Sequence, residues 1–156
     1  MVLRSNASAG RETARAAHVP PPGEDPGFSS EVVDDLQMVR LKRTNLLVVG
    51  DRAATGAVLD QLHLGPREGL VSWKPGHPLD LPPPGRTTTL ILHDVDQLTV
   101  AAQNTVLRWL DQGAGRIWVV STCAEPLWAL VEAGAFNDVL YYRLNIVCVR
   151  VPEDDD

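Results

Sequence analysis

Lysine is nearly absent from this chain. Of the 14 basic residues among 156, only Lys42 and Lys74 are lysine, and the other 12 are arginine. Cysteine is scarce too: Cys123 and Cys148 both sit in apolar, strand-like runs and read as small core residues, not a disulfide or metal pair. No run of about 18 apolar residues exists, so no membrane-spanning helix is expected. The first residues, MVLRSNASAGRETARAAH, are basic but lack an apolar signal-peptide core, which predicts a cytoplasmic protein. Net charge is −6, with a pI near 5.1, which argues against binding nucleic acid by phosphate neutralisation alone. What is present is a 44% hydrophobic fraction, enough for a packed core in one domain.

Residues 1–28 are rich in Ala, Ser, Gly, Pro and Arg, end near Val19-Pro20-Pro21-Pro22-Gly23, and show no apolar periodicity. A disordered arm is predicted there, with Arg4, Arg11 and Arg15 solvated. A domain is expected over 29–152, then an acidic tail over 153–156. Val32, Leu36 and Val39 form one apolar face of a helix from about Ser30 to Arg43, capped by Ser29 or Ser30. The continuous run Leu46-Leu47-Val48-Val49, closed by Gly50, suits a strand buried on both faces of a parallel sheet. Thr88–Leu92, Ile117–Ser121 and Ile146–Val151 share that character, and Gly69–Trp73 is a weaker candidate. Helix patterns fall at Thr55–Leu64, Thr99–Gln112, Glu125–Ala133 and Asn137–Leu144. Alternating strands and helices predict an α/β domain with a mostly parallel sheet of four to five strands between two helical layers. The prolines between Gly65 and Arg86 allow neither a long helix nor a central strand there. The four tryptophans are assigned to the core, with Trp109, off its helix's main apolar face, the candidate for exposure.

In such a sheet, ligands bind beyond the carboxyl ends of the strands. The turn after the first strand reads Gly50-Asp51-Arg52-Ala53-Ala54-Thr55-Gly56-Ala57-Val58. A phosphate-cradling loop needs glycines, a lysine and a Ser or Thr hydroxyl. Gly50, Thr55 and Gly56 are candidates for nucleotide contact, but Ala57 stands where the lysine belongs, and neither lysine can replace it from its place in the sequence. The third strand ends Leu92-His93-Asp94, where a magnesium-binding strand end carries consecutive carboxylates. His93 and Asp94 are therefore residual candidates, and no histidine spacing suggests a metal. Asp94 and Asp96, two apart on an extended segment, would point the same way.

From Leu46 to Pro152 the order of elements resembles the AAA+ ATPase domain of sigma-54-dependent transcription activators. Gly134-Ala135-Phe136-Asn137-Asp138-Val139-Leu140-Tyr141-Tyr142-Arg143-Leu144-Asn145-Ile146-Val147 is similar to that family's G-x-F-R-x-D-L-Y-Y-R-L-N-V segment. Thr89–Gly113 resembles its T-L-F-L-D-E-V strand end and following helix, matched at Gln103, Leu107, Arg108, Leu110 and Gly113. Gly50–Val58 resembles G-E-S-G-T-G-K-E with one residue inserted and the lysine lost, a degenerate Walker A loop.

The resemblance also defines departures. The family's D-E pair aligns with His93-Asp94, and its sensor asparagine has only Thr122, Cys123 or Ala124 as counterpart. Of its two arginines that can reach a neighbouring subunit's nucleotide, the first is Asn137 and Arg143 alone remains. The alternative for Arg143 is to cap its own helix or to bind the Asp138 carboxylate. The family's sigma-contact loop is missing, a proline-rich segment replaces it, and no helical lid or DNA-reading module follows. An arginine finger alone is worth roughly 10³–10⁵-fold in phosphoryl transfer. The resemblance with these losses implies a pseudo-ATPase: no catalytic residues, no required cofactor or metal, and regulation of transcription or signalling by contact with a sigma-54-type activator or another AAA+ subunit, without direct DNA or membrane binding. The alternative is a sensor module that keeps weak ATP or ADP binding. Asp96-Gln97-Leu98 with Ala101-Ala102-Gln103-Asn104 also looks like the clamp-loader branch of AAA+ proteins, against which the L-Y-Y-R-L-N run argues.

Overall fold

The computed structural model describes residues 28–64 and 69–151. The arm expected before residue 28 and the acidic tail at 153–156 lie outside them. The first helix, α1 (Ser30–Lys42), starts because the Ser29 hydroxyl accepts the Val32 N–H, and it ends where Arg43 turns left-handed at φ 53°. Then follow β1 (Leu46–Val49), α2 (Arg52–Gln61), β2 (Leu70–Trp73), β3 (Thr88–Leu92), a 3₁₀ turn (Val95–Gln97), α3 (Val100–Gln112) and β4 (Ile117–Cys123). The short helices α4 (Trp128–Glu132) and α5 (Asp138–Leu144) precede β5 (Val147–Arg150).

All five strands are parallel, in the order β2-β3-β4-β1-β5. Leu46 pairs with Val120 on one side and Val147 on the other, so β1 is central and wholly buried. That burial explains its unbroken apolar run. The sheet divides two cores. On one face Leu36 and Val39 of α1 and Val58 and Leu62 of α2 pack on Leu46, Val48, Trp118 and Val149, and Phe28 joins them. On the other, Val106, Trp109 and Leu110 of α3, with Leu140 and Leu144 of α5, cover Leu47, Leu90, Leu92 and Val119. The result is the expected three-layer α/β fold.

Several local expectations are corrected. α2 begins at Arg52, three residues before the predicted start, because Asp51 acts as its cap. α4 is only five residues long, and β4 extends through Cys123. Trp109 is buried: the proline-rich segment lies across it and the Pro82 carbonyl accepts its indole N–H at 2.7 Å. Trp128 is instead 44% exposed, stacked at 5.6 Å on Tyr141. Neither Cys123 nor Cys148 forms a disulfide, and burial pushes the Cys123 thiol up to about 12. Among the described residues no helix is long and apolar enough to cross a membrane.

Candidate functional site at the carboxyl ends of the strands

Strand register decides which residues meet beyond the sheet. Val49 of β1 pairs with Cys123 of β4, and Leu92 of β3 lies between Trp73 of β2 and Ser121 of β4. Gly50, Lys74, His93, Asp94 and Thr122 therefore stand along one rim. Gly50 donates its N–H to the Cys123 carbonyl at 3.0 Å. A Cβ on Gly50 would come within 3.1 Å of the Val151 carbonyl, which is why glycine fits there.

The link between β1 and α2 is only Gly50-Asp51. The Asp51 carboxylate accepts the Ala54 N–H at 2.7 Å, and its carbonyl accepts the Thr55 N–H at 2.9 Å. Backbone donors at the helix start, the feature that attracts phosphate in this fold, thus face an internal anion. Thr55 is buried and its hydroxyl donates to the Arg52 carbonyl at 3.2 Å. Gly56 is the fifth residue of α2, and Val58 is fully buried under the sheet. Of the three loop candidates, the structure keeps Gly50 at the rim and draws Thr55 and Gly56 into the helix.

Gly56 has nothing within 4 Å of an added Cβ, and glycine weakens a helix interior. Gly56→Ala is accordingly expected to stabilise the domain by about 0.5–1 kcal/mol, read as a higher urea midpoint. A lower midpoint would mean that position 56 is not helical.

Asp94 adopts the left-handed region, φ 51° and ψ 56°, directly before the 3₁₀ turn. Its neighbourhood is therefore not extended, and the expected common orientation of Asp94 and Asp96 fails. Asp94 donates its N–H to Thr122 Oγ1 at 3.1 Å, while its carboxylate meets Arg52 at 3.5 Å. The Arg52 side chain is 92% exposed, so this ion pair is weak. His93 is half-buried. Burial first, then the Lys74 and Arg52 cations, push its imidazole below the ordinary histidine range, with Asp94 opposing. The ring is neutral at neutral pH. Lys74, set aside on its place in the sequence, does reach this rim, because the end of β2 abuts the end of β3. Among the described residues no group of three or more His, Cys, Asp or Glu side chains gathers to hold a metal.

A family model described as the sigma-54 interaction domain matches residues 27–153. The chain belongs to the sigma-54 interaction domain family. The transcriptional regulator NtrC of Bradyrhizobium sp. (strain RP501 Parasponia) is 33% identical over 75 residues, covering 41% of this chain and 16% of that protein. NtrX from Brucella abortus, solved with ADP, shares the fold with a TM-score of 0.61 at 21% identity, over 79% of this chain and 35% of NtrX. The P-loop NTPase domain of the sigma-54 transport activator from E. coli gives 0.56 at 17% identity, over 80% of this chain and 97% of that domain. The chain thus spans about a sixth of its curated relative and about a third of NtrX.

Within this sigma-54 interaction domain, Arg143 stands apart from the rim. It lies in the last turn of α5, just before β5 begins, at the opposite end of the sheet. Its guanidinium pairs with Asp111 near the end of α3, and neither Asp138 nor its own helix end is the partner. Asn137, at the position of the family's other arginine, caps α5 by accepting the Leu140 N–H at 3.0 Å.

Proposed function

We propose that this sigma-54 interaction domain is a non-hydrolysing AAA+ core, acting in the cytoplasm through contact with another AAA+ subunit or a sigma-54-type activator. The observation that carries this reading is the two-residue link after β1. A triphosphate needs free backbone donors and cations at the helix start. Here the Asp51 carboxylate takes the Ala54 N–H, no lysine follows Gly56, and the rim's cations are Lys74 and Arg52, the latter paired with Asp94. These residues are a poor fit for nucleotide phosphates and magnesium. Arg143, engaged by Asp111, is read as a structural ion pair and not as a finger toward a neighbour. This fit supports regulation through protein contact without a required cofactor or direct DNA binding, and the family supports a sigma-54-type partner.

The test is an ATPase assay on the purified chain with magnesium. Turnover at the level of the buffer blank is expected, and Gly56→Ala leaves it unchanged. Turnover that Asp94→Ala abolishes would overturn the proposal. Titration with a fluorescent ATP analogue separates the remaining alternative: saturable micromolar binding without turnover favours an ATP sensor.

A further inference from the structure

The end of the sheet opposite the rim carries a concentration of positive charge. Around Thr88, the first residue of β3, the guanidinium of Arg43 meets the backbone of Arg86 and Arg116. Arg43 donates to the Thr88 carbonyl at 3.1 Å and to the Thr89 hydroxyl at 3.5 Å, with its guanidinium 5.7 Å from the centre of the Trp118 ring. Thr88 donates its hydroxyl to the Arg86 carbonyl at 3.2 Å and its N–H to the Arg116 carbonyl at 2.9 Å. Arg116 in turn donates to the Gly85 carbonyl at 2.5 Å. Arg40 and Lys42, in the last turn of α1, are exposed at the same end.

None of these five cations forms an ion pair with a carboxylate among the described residues. Two of them are nevertheless held in place. Neutral carbonyls, a hydroxyl and an aromatic face fix Arg43 and Arg116 without cancelling their charge. Asp111, at the same end, is already engaged by Arg143. An oriented guanidinium with spare donors matches a carboxylate in the two-point geometry that lysine cannot offer.

We propose that this end of the sheet, formed by Arg40, Lys42, Arg43, Arg86 and Arg116, binds an acidic polypeptide segment of a partner protein. The chain's net charge of −6 favours this occupant over nucleic acid. A polynucleotide carries uniform negative charge past the patch and meets the acidic remainder of the surface, whereas a short acidic segment can keep to the cations and away from Asp111, which is already paired with Arg143.

The test uses a fluorescein-labelled peptide of eight consecutive glutamates, titrated with the full chain by anisotropy, with octaglutamine as the neutral control. Saturable binding at 20 mM salt is expected, falling about tenfold or more at 300 mM salt as screening shortens the reach of the charges. Arg40→Glu with Arg86→Glu is expected to weaken binding at least about tenfold. Neither side chain makes a packed contact, and a circular dichroism melt matching the parent confirms the fold. Absence of peptide binding, equal binding by octaglutamine, an unchanged affinity in the double variant, or tighter binding of a 20-base-pair DNA duplex would each overturn the proposal. Because no nucleotide is present, failure here leaves the non-hydrolysing reading intact, and ATP turnover would leave this surface intact.

Discussion

Replacing Gln103 by leucine is expected to lower the unfolding free energy by about 3–5 kcal/mol, the largest loss from any single polar side chain here. Gln103 is only 2% exposed, inside the α3 side of the core. Its amide donates to the Leu98 carbonyl at 3.0 Å and the Ala135 carbonyl at 3.1 Å, and its oxygen accepts the Asn137 N–H at 2.7 Å. One side chain thus joins the start of α3 to the turn that launches α5. Leucine fills the same volume but leaves two carbonyls and an N–H without partners away from water. Each such group costs roughly 1–3 kcal/mol, partly relieved if water enters. Gln103→Glu keeps the acceptor while losing both donations and burying a charge, so it is expected to be no better. Urea melts read the effect directly. A loss below about 1 kcal/mol would show that these groups find other partners.

Asn45→Ala is expected to cost about 2–3 kcal/mol by the same mechanism at the other end of the sheet. The Asn45 amide donates to the Arg143 carbonyl at 2.9 Å and its oxygen accepts the Val119 N–H at 2.9 Å. Its own carbonyl accepts the Val147 N–H at 3.1 Å. The residue before β1 therefore aligns the entries of β4 and β5 and fastens the end of α5. Alanine removes both side-chain bonds but keeps the backbone one. Asn45→Asp retains the acceptor for Val119 but sets a carboxylate oxygen against the Arg143 carbonyl, so it is expected to be no better than alanine. A drop in melting temperature of roughly 6–12 °C for the alanine variant checks this, and an unchanged melting temperature would refute the geometry.

Much of the architecture was legible because β1, β3, β4 and β5 are continuous apolar runs and α1, α3 and α5 carry side-chain caps at Ser29, Thr99 and Asn137. The family was legible in Leu140–Asn145, a segment in which several side chains hold the fold together. Leu140 and Leu144 are buried, and the Asn145 amide donates to the Tyr141 hydroxyl at 2.9 Å. Two things escaped. Periodicity alone placed Trp109 outside its helix's apolar face, and nothing local revealed that Pro82 crosses over it. The loop motif ran past Asp51 and the helix pattern began only at Thr55, whereas Asp51 can cap a helix as readily as it can sit in a loop, and the helix starts at Arg52. That choice depends on competition between a side-chain carboxylate and an external anion for the same N–H, which a linear pattern does not display.

The early start of α2 bears on what a lysine at position 57 could do under the proposed reading. A single substitution can return a lysine to position 57, since side chains change independently of one another. It cannot return a cradle, because the amides that would line one are already committed to successive helical turns behind Asp51. Recovering a loop requires unwinding that helical start, at the expense of bonds that now contribute to stability. In such a scaffold the backbone conformation at this turn, and not only the residue at position 57, sets what the helix start can hold.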